Sequence, residues 1–433
     1  MPTAGTSISR KYPSLRNSSK RTQYSWLEGR RLDDGAEGLW RVHDGIYDLT
    51  DFVEHHPGGR EWLEMTKGTD ITEAFEAHHI SEIPEKLLEK FKIRDAKEPR
   101  NFTLTFKDDG FYRTLKRRVR EKLKNIDTAT PAKLSNLYTD TLLILTYVTA
   151  VAALVTQSYI VGALAGTILT LAAVSSHNYF HRRNNWRMYI FNLCFMNYKE
   201  WRISHALSHH LYPNSLHDLE ISLGEPFLCW LPDPKIKNIV QRYVSWIYGP
   251  IIYSFIFISE FVKKLVLSKN HLALDDLIPF TVPLVMYLAT GENFTTVVNT
   301  WLYIIFCASF LFALIGFNAS HHHSGVVHEG DAIRENSDWG IYQMDTSMDR
   351  SDINKSHFFT LTFFGQHILH HIFPTLDHGV LAQLQPEFLE TLREFEYEFR
   401  ACSWFEHIVE QHKQLARIQP RTEYKGLVKT KKQ

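Results

Sequence analysis

Charge is absent from two long stretches of this chain. From Thr141 to His181 no Asp, Glu, Lys or Arg interrupts the sequence, and the same holds from Asn293 to His328. A bilayer-spanning helix needs about 20 apolar residues. The first stretch therefore predicts two spans, about 137–157 and 159–179, with a turn near Gln157-Ser158, and the second predicts a span at about 297–317. One long helix buried in a soluble core is the competing reading, and the length of the uncharged run disfavours it. Weaker apolar stretches lie between, at Tyr243–Ser259 and Leu277–Gly291. Basic residues flank the cytoplasmic ends of spans; here RTLKRRVREKLK (113–124) precedes the first span and HRRNNWR (181–187) follows the second. An even number of crossings is needed to return the chain after residue 320 to that side. Hence 273–291 is expected to span, and 243–259, with Gly249-Pro250 inside it and Lys263-Lys264 beyond, to lie in the interface.

The remaining polar regions divide the chain further. Residues 1–20, rich in Ser, Arg and Lys, are expected to be disordered. Residues 21–97 alternate short apolar runs with Gly-rich turns, 98–135 form a basic amphipathic linker, 136–386 hold the spans, and 387–433 form a cytosolic helical tail.

Composition narrows the classes. In 433 residues, Lys and Arg number 48 and Asp and Glu 48, so no nucleic-acid partner is expected. Cys194, Cys229, Cys307 and Cys402 form no CxxC pair, which argues against a disulfide framework, a zinc ribbon and c-type haem attachment. The N-terminal residues lack the apolar core of a secretory signal, so no cleaved export peptide is expected. Between Glu28 and Glu82 there are 14 acidic and 5 basic residues, and the whole chain holds 23 histidines.

Those histidines fall in motifs. WRVHDGIYDLTDFVEHHPGG (40–59) and GTDITEAFEAHH (68–79) resemble a cytochrome b5 domain over 21–97. The resemblance implies an α+β haem-binding fold, with His56 of the HPGG turn as one axial ligand of haem b and His79, or alternatively His78, as the other. Two imidazoles leave the iron no open position, which suits electron transfer rather than oxygen binding. His43 and His55 are read as surface residues.

Three further clusters follow the spans: His177 and His181; His205, His209 and His210; His367, His370 and His371. Helical residues three and four apart share a face, so each cluster can aim two imidazoles at one point, and eight suffice for two metal ions. Imidazole suits Zn, Cu, Fe and Ni. Zinc has no redox chemistry and would leave a tethered one-electron donor idle, so the site reads as two non-haem Fe. The boxes, the HHIFPTLDHGVLAQLQP segment (370–386) and HHLYPN (209–214) with Asp218 resemble the membrane fatty-acid desaturase/hydroxylase superfamily over roughly 136–400. With the haem domain, the whole resembles front-end desaturases and the insect cytochrome b5-related group, implying an all-α multi-span membrane domain with cytosolic boxes. Two positions depart from the front-end pattern: Asn178 stands where Asp is common, and His367 where Gln is common, with Gln366 just before it. The resemblance also implies a ninth metal ligand from the triplet in NASHHH (318–323): in soluble-acyl members of the superfamily an Asn and a His four residues later complete the metal shell, and Asn318 and His322 have that spacing, which favours His322 over His321 and His323. His357 and His378 are read as surface residues.

Protein acids and bases cannot reach an unactivated C–H bond, so the metals must carry that chemistry. The resemblance implies an oxygen-dependent acyl desaturase acting on a long-chain acyl-CoA or acyl lipid, with O2 and a flavoprotein reductase as partners. Hydroxylation by the same centre, and a haem electron-transfer protein with an inactive desaturase module, stay open. The acidic haem domain suits a basic reductase. The final Lys-Thr-Lys-Lys-Gln resembles a dilysine retrieval signal, so a multi-pass protein of the endoplasmic reticulum membrane is expected.

Overall fold

A computed structural model describes residues 6–424; the dilysine-like tail lies outside them. The N-terminal unit has a three-stranded antiparallel sheet, Trp40–Val42, Gly45–Tyr47 and Lys92–Asp95 in that order. The short helices Arg60–Thr66, Thr72–His78 and Ile83–Leu88 surround it. Trp40, Tyr47, Leu49, Leu63, Ile71 and Phe75 close its core.

Residues 6–20 do not match the expectation of disorder. Ile8 is fully buried, Ser9 bridges to Phe102, and Ser14 donates its amide and hydroxyl to Asp33 at 2.7 Å each. Composition averages over a segment, whereas one buried apolar residue and a few hydrogen bonds suffice to pin it.

The basic stretch forms the helix Phe111–Leu123. Its apolar face buries Phe111, Tyr112, Leu115 and Val119, while its cations reach both neighbours. Arg113 and Lys116 pair with Glu76, Arg120 with Glu82, and Arg118 and Lys122 with Glu394 and Glu387. The helix thus clamps the haem unit to the rest of the chain, a tertiary role added to its position before the first span.

Among the described residues, three helices are long and apolar enough to cross a membrane: Ala129–Thr156, Tyr159–Tyr179 and Phe294–Gly316. Outward-facing Ile144, Val148, Val155, Ile160, Leu164 and Phe294 give this bundle an apolar exterior, as a lipid environment requires. The expected fourth span, 273–291, is not one regular helix. It runs as a 3-10 segment, Leu274–Phe280, into the ten-residue helix Thr281–Thr290. Pro279 and Pro283 each lack an amide donor and restrict the residue before them, which breaks the regular ladder. Val282 and Met286 still pack into the core of the bundle. The stretch 243–259 belongs to a longer helix, Ser245–Leu267, which crosses the last long helix where Ser309 hydrogen-bonds the Tyr253 carbonyl at 2.6 Å.

The tail forms two helices, Gln385–Glu394 and Trp404–Ala416, joined through a short strand, Ala401–Cys402, that pairs in parallel with Asp349–Arg350. A second core, with Leu211, Trp339, Ile368, Phe373 and Phe388, caps the polar end of the bundle and seats the histidine segments.

Candidate haem and metal centres

His56 ends a 3-10 turn, and Gly58 and Gly59 let the chain double back beneath its ring. A Cβ on Gly58 would lie 2.9 Å from the imidazole, and Gly59 has φ +107°, which disfavours any side chain. Gly59 then accepts a hydrogen bond from His56 Nδ1 at 2.9 Å, as Phe75 does from His79 Nδ1 at 2.9 Å. Carbonyls only accept, so both rings carry their proton on Nδ1 and keep a lone pair on Nε2. The ring centroids stand 6.2 Å apart, the gap left when one metal sits about 2.0 Å from each nitrogen. This pair fits an axially ligated haem. Burial lowers His79 to about 4, keeping it in the neutral, ligating form. His78 faces elsewhere: it lies against Trp62 and is 5.9 Å from His181.

Nine further histidines form two buried sets. His177, His181, His205, His210 and His370 bring ring nitrogens within 4.8 Å of one another, as do His209, His321, His367 and His371. The second box is split by its backbone. Arg202–His209 is a π-helix, and the His210 amide donates to the His205 carbonyl five residues back. A wider turn of this kind stacks residues five apart, so His205 and His210 share one set, Nε2 to Nε2 at 2.9 Å, while His209 turns to the other. In the third box an ordinary helical turn, His367–Ile372, sends His367 and His371 to one set and His370 to its neighbour. The His210 and His371 rings stack across the divide at 3.9 Å.

Proton positions show what the second set is built for. Nδ1 of His209 donates to Asp218 at 3.0 Å, of His321 to the Thr346 carbonyl at 2.9 Å, of His367 to the Phe364 carbonyl at 3.2 Å, and of His371 to the Gln343 carbonyl at 3.0 Å. His321, His367 and His371 thus keep a bare lone pair on Nε2, yet His321 Nε2 lies 2.8 Å from that of His367 and 3.1 Å from that of His371. Lone pairs at that distance repel unless a cation lies between them. Outer partners of this kind are what metal-bound imidazoles use to fix their tautomer. The first set has the same crowding, with His177 Nε2 2.7 Å from His205 and 3.1 Å from His370. Its outer partners are sparser: Nδ1 of His177, His181, His210 and His370 has none among the described residues. Burial pushes His181, His210, His321, His367, His370 and His371 well below the usual imidazole value. Burial would lower His209 too, but Asp218 and Glu220 outweigh it and raise the ring to about 9.

The ninth histidine is His321, where His322 was expected. The last long helix ends at Gly316, so the i, i+4 spacing from Asn318 has no helix to act on. His322 instead stacks on Trp230 at 3.9 Å, and His323 approaches His407. His378, read as a surface residue, is buried 4.3 Å from His370, and His43 and His357 bind Glu76 and Ser135. Glu220 was not singled out in the sequence. It accepts from His205 Nδ1 at 2.8 Å and lies 3.8 Å from His209 Nε2, touching both sets. A lone acid 15 residues beyond a histidine carries no signal by itself.

An apolar cavity reaches the sets, walled by Trp201, Ile256, Phe312, Phe317 and Phe364 around His205, His209 and His367. Trp201, Glu220 and Ile256 also line a wider adjoining cleft of about 550 Å³ that carries Arg21 and Lys263.

The profile of the family described as fatty acid desaturase matches residues 142–403, and that of the cytochrome b5-like heme/steroid binding domain matches 25–97. The chain is 51% identical over 418 residues to a protein named cytochrome b5-related protein from Drosophila melanogaster, covering 95% of this chain and 96% of that one. It is 26% identical over 436 residues to probable Delta(5) fatty acid desaturase C of Dictyostelium discoideum, covering 90% and 93%. No solved structure matches.

Proposed function

The chain belongs to the fatty acid desaturase family and carries a cytochrome b5-like domain on the same polypeptide, and on that basis we propose that it is an oxygen-dependent acyl desaturase with its own haem donor and a two-iron histidine centre. The observation that carries this reading is the convergence of buried imidazole nitrogens in two adjoining sets beside a bis-imidazole pair. His56 and His79 would hold haem b. His177, His181, His205, His210 and His370 would hold one iron, and His209, His321, His367 and His371 the other. Bound there, the haem supplies single electrons and the irons supply oxygen activation strong enough for an unactivated C–H bond.

The side chains do the rest. Asp218, Gln343 and the Thr346 and Phe364 carbonyls hold the imidazoles in one tautomer and orientation. Trp201, Phe312 and Phe364 wall the sets with apolar surface that excludes water and suits contact with an alkyl chain. The adjoining cleft, with Arg21 and Lys263, receives the polar head of an acyl-CoA or acyl lipid. A nicotinamide-linked flavoprotein reductase recharges the haem. Glu61, Asp70, Glu73 and Glu76 are taken up by Arg202, Arg100, Arg113 and Lys116 of this chain, and Glu54 and Glu64 share Arg60, so the exposed Asp48 and Asp51, with the net negative charge around Arg60, remain for that partner. The long apolar helices beside the site support a membrane as the place of action.

Expression in yeast followed by lipid profiling tests the reading. A new double bond that disappears in His370→Ala supports it. A new hydroxyl would assign hydroxylation to the same centre, and an unchanged profile with full metal loading would leave the chain an electron-transfer protein.

A further inference from the structure

His78 and His79 are consecutive, yet their rings serve different neighbours. His79 completes the 6.2 Å pair with His56, while His78 turns out of the haem unit and comes to rest 5.9 Å from His181, tilted by 37°. The end of the helix Thr72–His78 divides them: His78 keeps helical geometry, and His79 takes extended backbone with φ −116° and ψ 99°. Each ring is nevertheless fixed, because His78 Nδ1 donates to the Ala74 carbonyl at 2.9 Å. That bond places the His78 proton on Nδ1 and leaves Nε2 a lone pair, buried and without a partner. His181 shows the complementary lack. One of its ring nitrogens joins the metal set, and neither has a hydrogen-bond partner in the protein. A donor without an acceptor thus lies beside an acceptor without a donor.

The contact is held from both sides. Trp62 packs on His78 at 5.6 Å, and the Arg202 guanidinium lies 4.8 Å over Trp62 while pairing with Glu61 at 2.7 Å. Arg202 also donates to the Phe180 carbonyl at 3.0 Å, one residue before His181. Glu73 and Glu76, on the same helix as His78, are locked by Arg100, Arg113 and Lys116.

We infer that His78 is the positioning residue that couples the haem unit to the metal centre: its ring's 5.9 Å approach to His181 closes, when the metal is bound, to a hydrogen bond from the outer N–H of His181 to His78 Nε2, completing a path from the haem ligand through one peptide unit to a metal ligand. This rests on the haem and two-metal assignments made above. In the step served, one electron leaves the reduced haem, which is oxidised, and one ferric ion of the histidine centre gains it. No bond is made or broken, and the flavoprotein reductase replaces the electron. Transfer probability falls exponentially with the gap to be crossed, so a continuous side-chain route matters more here than a general closeness of domains.

Two variants of the full-length protein test this. His78→Phe keeps an aromatic ring and removes the acceptor, whereas His78→Gln keeps an acceptor. In His78→Phe the haem spectrum, the haem potential and the ratio of two non-haem irons per haem stay as in the parent. Anaerobic reoxidation of pulse-reduced haem by the diferric centre slows at least tenfold. With cobalt(II) loaded in place of non-haem iron, the visible spectrum of the cobalt shifts in His78→Phe and returns towards the parent in His78→Gln, whose transfer rate recovers to within about threefold. Transfer at the parent rate in His78→Phe, or a cobalt spectrum unmoved by it, overturns the inference. Loss of haem in His78→Phe also overturns it, by making His78 an axial ligand. A parent protein that binds no non-haem metal would instead bring down the two-metal reading. His78→Leu supplies the same comparison if the phenylalanine variant does not fold.

Discussion

Asn178 donates its side-chain amide to Asp377 at 2.7 Å, and its side-chain oxygen accepts from both the backbone and Nδ1 of His378, at 3.0 and 2.9 Å. Asn178, one of the two residues that depart from the front-end pattern, therefore uses both ends of its side chain. An aspartate at 178 could still accept from His378, but it would set a second carboxylate against Asp377, which already takes Ser135 and Arg182. Losing a buried hydrogen bond to a charged group costs about 1.5–3 kcal/mol, and like-charge repulsion adds to it.

Asn178→Asp should accordingly lower the thermal midpoint and loosen iron at the His177 set. The double variant Asn178→Asp/Asp377→Asn restores one amide facing one carboxylate and should recover both properties. Calorimetry and iron content of the two proteins, side by side, check this; a single variant as stable as the parent would show that the pairing is idle.

The histidine triplet gives a second prediction. His321→Ala should reduce non-haem iron from two towards one per haem, because it removes one of four converging imidazoles. His322→Ala removes a stack on Trp230, costing about 0.5–1.5 kcal/mol of stability, and should leave the metal count unchanged. Metal analysis of both variants distinguishes the assignments, and the opposite pattern would return the ligand to His322.

These two cases mark what the chain displays in one dimension. The three boxes, the HPGG turn and the uncharged runs are legible because each is local: spacing along a helix, or length of an apolar run. Which of His321 and His322 points inward depends on where the last long helix ends, and Gly316 gives no strong stop. The split of His205 and His210 from His209 depends on one π-turn, which no residue type announces. Glu220 and His378 reach the site only through tertiary packing. The fourth apolar stretch has enough hydrophobic residues, but Pro279 and Pro283 decide its shape.

Asp218 gives a third prediction. Its carboxylate accepts from His209 Nδ1 and also from the amides of Asn214 and Glu220, so its position is set by backbone before any metal arrives. Asp218→Asn removes the charge that raises the basicity of His209. Metal affinity of the His209 set should fall 10–100-fold, the usual effect of losing such an outer partner. Competition of the loaded protein with a chelator measures it; the faster-released half of the iron should come from this set, with the His177 set unaffected.

The last prediction concerns the seam between the two units, where Glu76 is the busiest residue. Burial alone would raise its carboxyl, but His43, Lys116 and Arg113 overcome that and lower it to about 2, against 4.5 for the free side chain. Because the folded value is the depressed one, Glu76 contributes its full share to docking above pH about 4.5. The share is lost progressively as pH falls from there through about 2, as the carboxylate takes up a proton and releases the two cations. Docking should thus be flat with pH across the physiological range and weaken only in acid. Glu76→Gln should mimic the acid state at neutral pH, exposing the connector around residues 98–110 to protease while leaving the haem spectrum intact. Limited proteolysis of parent and variant between pH 3 and 7.5 measures the effect. Equal cleavage of both proteins at neutral pH would mean that Arg202–Glu61 and Arg100–Glu73 hold the seam without Glu76.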